Sequence, residues 1–510
     1  TSPPSAHVAM RMPLRKRPEW ARTIRRTAAV ALAGGVATAA ASSLEPAEAR
    51  RSSTPGLPSI ESLTLLQVQS TFRHGARTPM EDIGDAPVKW LPSEQRAYAA
   101  GREGKCSKLS VLYSGSGEGV DPLELFVGRA DRYASGGGLN GGGAGGILTN
   151  VGLQQANALG EALRARYVDT RAKTSTQVGR SQLLPRTWGA ARRLVSTRST
   201  LVERTVFTAG GVLAGMYPQE AEAGELAAEV ELNVPRGSHG AEEYMVINTE
   251  LCPRLRELFR QGQRLSAANL DARQRAAIAQ VEEGAEHDSW FVGAAEWKLI
   301  AYRDQLACRR AEGKHVPPHV VQVEDALDRG AAVQMHDIFE GGAAHVPGGD
   351  AARDATRTQA LRLGIGRMVT HILHTLDRPD GKLHLYSGHD WTVGPLLMCL
   401  CRRDEPLLST WPPFCAEVAV ELWSAPSADA SQPTAYWPAR GAAPHAHAGA
   451  RYVRVLYNGT PLDLPCSAEG QQLCRLDDFK AALAPYCCEC FESECASANT
   501  RGSGWGSKRY

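Results

Sequence analysis

Three short polar clusters in the 510-residue chain carry side chains that could do chemistry together: Arg73-His74-Gly75-Ala76-Arg77, Thr197-Arg198-Ser199 and His389-Asp390. Arg73, Arg77 and Arg198 supply forked donors that match the oxygens of a phosphate dianion. A neutral imidazole is a competent nucleophile towards phosphorus. Neighbouring guanidiniums oppose a further cation, so His74 is expected to stay unprotonated in mildly acidic solution. Asp390 is the one carboxylate in the three clusters. Facing a phosphate anion its pKa should rise, which suits it to protonate a departing alkoxide. His389 completes the set around one pocket. The chemistry is phosphoryl transfer, with cationic donors stabilising the charge on the transferring group, and it calls for no metal and no cofactor. Taken singly, an Arg-His pair, an arginine or a His-Asp pair reads as an ordinary surface or turn feature. The argument rests on all three meeting.

A parallel sheet would bring them together. Residues 63–72 form a β-rich apolar run between Pro58 and Gly75 and read as a buried strand. A short strand ends at 194–196. Another over 382–387 ends at Gly388-His389-Asp390. Runs at 418–423 and 452–457 read as further strands. Between them, apolar positions at three-to-four spacing predict a helix over 149–167. Thr200-Leu-Val-Glu203 has capping-box form and predicts a helix running to Tyr217-Pro218. Further helices are expected at 253–262, 267–283, 294–311, 354–376 and after Asp390. Strands alternating with helices imply an α/β sheet, whose ligand crevice lies at the carboxyl ends of the strands. Residues 135–146 contain eight glycines and read as a loop. Their formal GxGxxG lacks the flanking strand and helix of a dinucleotide site.

Charge is uneven. Residues 1–60 hold nine Lys/Arg against three Glu, a net of +6, while the remaining 450 carry 48 against 52, a net of −4. The basic stretch, the Ala/Gly/Thr-rich run after it and Ala47-Glu48-Ala49 describe a removable targeting segment, for an organelle such as the mitochondrion or for the secretory pathway, with a disordered leader as the alternative. The near-neutral total argues against a nucleic-acid partner. No apolar run long enough for a stable transmembrane span appears.

Arg73-His74-Gly75-Ala76-Arg77-Thr78-Pro79 resembles the signature of the histidine acid phosphatases, in the histidine phosphatase superfamily. Thr197-Arg198-Ser199-Thr200 with Arg204-Thr205, and Ser387-Gly388-His389-Asp390, resemble two further motifs of that family, in the same order. Leu148-Thr149 through Tyr167-Val168, Trp411-Pro412-Pro413-Phe414 and Leu456-Tyr457-Asn458-Gly459 are similar to its lysophosphatidic acid phosphatase branch. The resemblance implies a three-layer, phosphoglycerate mutase-like α/β core with an inserted, mainly helical cap. It makes His74 a phosphohistidine nucleophile and Asp390 the proton donor, with Arg73, Arg77, Arg198 and His389 as phosphate ligands. The substrate would be a small phosphate monoester, of lysophosphatidate type by the branch. A broad-specificity or phytase-like phosphatase, or a non-catalytic phosphate- or lipid-binding relative, are the alternatives.

The resulting layout is a leader over 1–60, core over 61–218, cap over 219–345, core over 346–485 and a Cys-rich tail over 486–510. Oligomeric state is left open. Cys466 and Cys474 are candidates for a disulfide closing a short loop, with two free thiols as the alternative. Cys487, Cys488, Cys490 and Cys495 lack the spacing of a zinc site. Asp325 and His336 are expected at the pocket edge.

Overall fold

The computed structural model describes residues 57–496, apart from 81–87, 96–107, 114–118, 121–138, 170–181, 234–242, 269, 283–297, 341–348, 379–380, 427–448 and 468–470. The leader up to residue 56, most of the 424–450 loop and part of the Gly-rich loop lie outside the described residues.

The apolar run after Pro58 forms strand β1, Thr64–Arg73. It is buried along nearly its whole length, as a central strand covered on both faces must be. Beside it runs β6, Leu383–Gly388, and beyond that β4, Val195–Ser199. The sheet continues through β5, Ala227–Leu232, to β2, Lys108–Tyr113, and β3, Gly119–Val120. From β1 to β2 every pairing is parallel. On the other side of β1 the sheet turns antiparallel, through β7, Glu417–Ser424, and β8, Arg451–Tyr457, to β10, Cys474–Arg475. β9, Thr460–Pro461, pairs with β8.

Alternation along the strands divides the core into two layers. On β7, Ala419 and Trp423 join one apolar cluster, while Val418, Val420 and Leu422 join the other. The first cluster packs helices α1, Asn150–Tyr167, and α2, Glu203–Met216. Thr149 caps α1 by accepting from the Gly152 amide at 3.1 Å. The second cluster packs, among others, α8, Gly366–Asp377, α9, Asp390–Leu400, and α10, Leu476–Leu483.

The same cluster extends into the cap helices α3, Pro253–Ala268, α4, Ala272–Glu282, α5, Lys298–Ala311, and α6, Glu324–Phe339. Helix α7, Gly349–Gly364, follows. The expected 354–376 helix is therefore two helices, broken at Ile365 between Gly364 and Gly366.

Three expectations need correction. The stretch 219–345 is not wholly cap, because β5 within it is a strand of the core sheet. Its short Ala/Glu-rich sequence hides a half-exposed alternation. The capping box at Thr200–Glu203 is not made: Val202 is the N-cap without a side-chain bond, and the Thr200 hydroxyl turns to Thr205 and His389 instead. Over its described residues, 486–496, the tail belongs to the fold, with Cys488, Phe491 and Cys495 in the core. Its last described helix, α11, Phe491–Cys495, is joined to the cap by a Cys252–Cys495 disulfide. Cys466 and Cys474 are also disulfide-bonded. Among the described residues, no helix is long and apolar enough to cross a membrane.

Candidate active site

Strand register assembles the three clusters. Arg73 closes β1 opposite Gly388 of β6, and Ser199 closes β4 opposite Ser387. Backbone bonds carry the pairing past the strand ends: His74 N donates to Gly388 O at 3.0 Å and Thr200 N to Ser387 O at 3.2 Å. His74 and His389 then lie edge to face, with ring centroids 5.6 Å apart.

The turn after β1 is pressed against the start of α1. A Cβ on Gly75 would lie 2.2 Å from Gly152 O, and one on Gly152 would lie 2.0 Å from Ala76 O. Thr149 N donates to Ala76 O at 3.0 Å, and Gly75 N to the Thr208 hydroxyl at 3.1 Å. Two glycines thus let the turn and the helix end approach closely enough to fix His74.

His74 is 1% exposed. Its Nδ1 lies 2.8 Å from Gly75 O. A carbonyl oxygen only accepts, so Nδ1 carries the proton and Nε2 keeps its lone pair. Burial, then the charges of Arg204, Arg73 and Arg77, hold the imidazole well below its usual range, so it stays neutral.

Arg73 is fully buried. It donates to Pro412 O at 2.7 Å, meets Asp390 Oδ2 at 2.9 Å and lies over the Phe414 ring at 4.2 Å. Arg77 Nη2 reaches both oxygens of Asp304 on α5, at 2.9 and 3.0 Å, and its Nη1 donates to Thr78 O at 3.0 Å. The Nε atoms of both arginines are buried and have no hydrogen-bond partner among the described residues. Buried guanidinium donors left over in this way call for an anionic acceptor.

Asp390 accepts from the Trp411 indole at 3.0 Å and from Trp391 N at 2.9 Å. Burial alone would raise its pKa, but Arg73 and then Arg77 outweigh burial and hold the carboxyl below its ordinary range. The expected rise is thus absent while Arg73 faces Asp390, because the guanidinium stabilises the ionised form. His389 is lowered too, by burial and then by Arg204.

Arg198 departs from its expected place. Its side chain bonds Tyr244 at 3.2 Å and Glu231 at 3.2 Å. The third guanidinium beside the histidines is Arg204, at the start of α2, whose Nη2 lies 3.5 Å from His389 Nδ1. After burial, it is the largest influence on both imidazoles. His389 Nε2 lies 3.0 Å from the Thr200 hydroxyl. Arg204 stood inside the second motif in the sequence, but the arginine nearer the strand end drew the assignment. Arg198 lies level with Tyr386, two residues short of the Arg73–Gly388 pair at the strand ends, and its side chain is taken up by Tyr244 and Glu231.

Asp304 was also missed. Cap residues Asp325 and His336 do not reach the cluster just described: Asp325 is exposed and paired with Arg329, while His336 lines a cleft behind Trp411.

Comparison with known proteins agrees with this geometry. The sequence pattern of the histidine phosphatase superfamily (branch 2) matches residues 64–458. The chain belongs to that superfamily. It is 24% identical to lysophosphatidic acid phosphatase type 6 of Bos taurus, over 87% of this chain and 89% of the relative. It is likewise 24% identical to the Mus musculus protein of that name, over 83% and 85%. Among solved structures, a Hafnia alvei phytase in complex with myo-inositol hexakis sulphate superposes with a TM-score of 0.51 at 13% identity, covering 85% of this chain and 98% of the phytase. That likeness concerns the fold: an α/β core carrying a helical domain.

Proposed function

We propose that this member of the superfamily hydrolyses phosphate monoesters in two steps through a phosphohistidine on His74, with lysophosphatidate-type lipids as substrates. The observation that carries the reading is the state of His74: a neutral imidazole with Nδ1 tied to Gly75 O and an available Nε2, set among Arg73, Arg77 and Arg204.

In the first step Nε2 attacks phosphorus while the guanidiniums hold the phosphoryl oxygens. The ester P–O bond breaks, and the departing alkoxide takes a proton from Asp390. In the second step water attacks the phosphohistidine, Asp390 takes up the water proton, and inorganic phosphate leaves from restored His74. A phosphate that takes over Arg73 releases Asp390 from its ion pair and allows it to carry the proton.

Two observations support a lipid substrate. Relatives from Bos taurus and Mus musculus, matched over 89% and 85% of their length, bear the lysophosphatidic acid phosphatase name. A narrow, largely apolar cleft, lined among others by Met335, Leu397, Met398 and Leu408, lies against Trp411 and Pro412, which contact Asp390 and Arg73.

The test is hydrolysis of an aryl phosphate, of oleoyl lysophosphatidate and of inositol hexakisphosphate by the wild type, His74→Ala and Asp390→Ala. Expected are loss of turnover in both variants, transient ³²P labelling that needs His74, and a higher kcat/KM for the lipid than for the inositol phosphate. Undiminished turnover in His74→Ala would overturn the mechanism. Preference for inositol hexakisphosphate would overturn the lipid assignment.

A further inference from the structure

The two arginines of the first cluster are each paired with a carboxylate. Arg73 meets Asp390, from the core motif itself. Arg77 meets Asp304, which comes from cap helix α5 and belongs to none of the three clusters. Asp304 and Cys308, four residues apart on one helix face, both touch Arg77, the thiol at 3.8 Å from Nη1. The guanidinium is thus held from the cap through Nη2 and the Cys308 thiol at Nη1, and from the core through Nη1 and Thr78 O, with only Nε unpartnered among the described residues.

A phosphoryl group can therefore reach Arg77 through Nε without evicting Asp304. The carboxylate then stays beside the bound substrate with its side chain 20% exposed, close enough to solvent to face whatever extends from the reacting phosphate. One dianion is matched by Arg73, Arg77 and Arg204. A second anionic group on the same substrate would meet the negative charge of Asp304 in a partly dehydrated setting, where like charges repel strongly. Arg303, next to Asp304, does not offset this freely, because Asp328 already engages it at 2.8 Å.

We propose that Asp304 is a specificity-determining residue that admits singly phosphorylated esters with an uncharged leaving group and disfavours substrates bearing further phosphates near the reacting one. The inference rests on the phosphatase reading above and sharpens its substrate class.

The experiment compares wild type, Asp304→Asn and Asp304→Glu by the ratio of kcat/KM for inositol hexakisphosphate to that for 4-nitrophenyl phosphate. The ratio is expected to rise about tenfold in Asp304→Asn, the scale of a Coulomb term near a protein surface. It should stay near the wild-type value in Asp304→Glu, and the rise should shrink at high ionic strength. A second arm measures binding alone. The affinities of His74→Ala and of His74→Ala/Asp304→Asn for both compounds are compared by calorimetry, and the double variant should gain selectively for the inositol phosphate. Unchanged ratios in either arm, with or without a fall in Tm, would overturn the proposal and leave Asp304 a structural clamp. A wild type without His74-dependent turnover would instead be a failure of the phosphatase reading, and the binding arm would still decide the role of Asp304.

Discussion

Arg73 Nη2 and Asp390 Oδ2 meet at 2.9 Å, so the side chain proposed to give up a proton rests as an ionised carboxylate against a guanidinium. On the proposed mechanism, the proton it donates would then come with the substrate. A phosphate monoester carries one below its second pKa of about 6. On that mechanism, binding would hand Arg73 to the phosphate and the proton to Asp390.

This sets the pH profile. His74 is neutral throughout the mildly acidic range and places no acid limb near its ordinary pKa. We expect kcat/KM to be high near pH 5 and to fall about tenfold per unit above pH ~6, following the monoanionic substrate. A stopped assay across pH 4–8 checks this; a limb rising through pH 6–7 would mean that His74 titrates there. Asp390→Asn should cost on the order of 10²–10⁴ in turnover of alkyl esters, and less for nitrophenyl phosphate, whose leaving group needs little protonation.

Arg204 and Arg198 should separate cleanly. Losing a charge-assisted bond costs about 1.5–3 kcal/mol, so Arg204→Ala should weaken inhibition by inorganic phosphate roughly 10- to 150-fold. Arg198→Ala, which breaks contacts to Tyr244 and Glu231, should change the inhibition constant by less than about threefold and act mainly on Tm. Equal effects would return Arg198 to the phosphate site.

Gly75 and Gly152 make a sharper structural test. Alanine at either position would place Cβ within 2.2 Å of a facing carbonyl oxygen. The backbone must part, at a cost of at least about 1–3 kcal/mol. Both variants should show lowered Tm and, because the same contact positions His74, reduced kcat even well below Tm. Gly189→Ala, where no atom lies within 4 Å of the added carbon, is the control.

Much of this site could be read from the chain because its parts sit at the ends of continuous apolar strands. Residues 63–72 and 382–387 announce buried β-structure, and a parallel sheet puts the polar residues after such strands at one edge, where the strand order makes these two neighbours. Two kinds of information were out of reach. Strand β5 reads as helix-rich Ala/Glu sequence because only alternate residues are buried. The placement of Asp304 depends on the rotation and height of α5 over the sheet, which no local pattern encodes. Arg198 and Arg204 show the same limit on a smaller scale: the motif is visible, but which arginine turns inwards depends on where β4 stops and α2 begins.

The Cys252–Cys495 bond spans 243 positions and encloses most of the cap together with β6, His389 and Asp390. The chain between them is a covalent ring, so a single proteolytic cut anywhere inside it leaves both fragments attached. In the chain-entropy picture closing so long a loop contributes about 5 kcal/mol. Nicked protein should run as one species on a non-reducing gel and keep its activity until a thiol is added, whereas Cys495→Ser should fall apart at the first cut. The bond therefore gives the phosphate site a tolerance of chain breakage that the sheet and the cap alone would not supply.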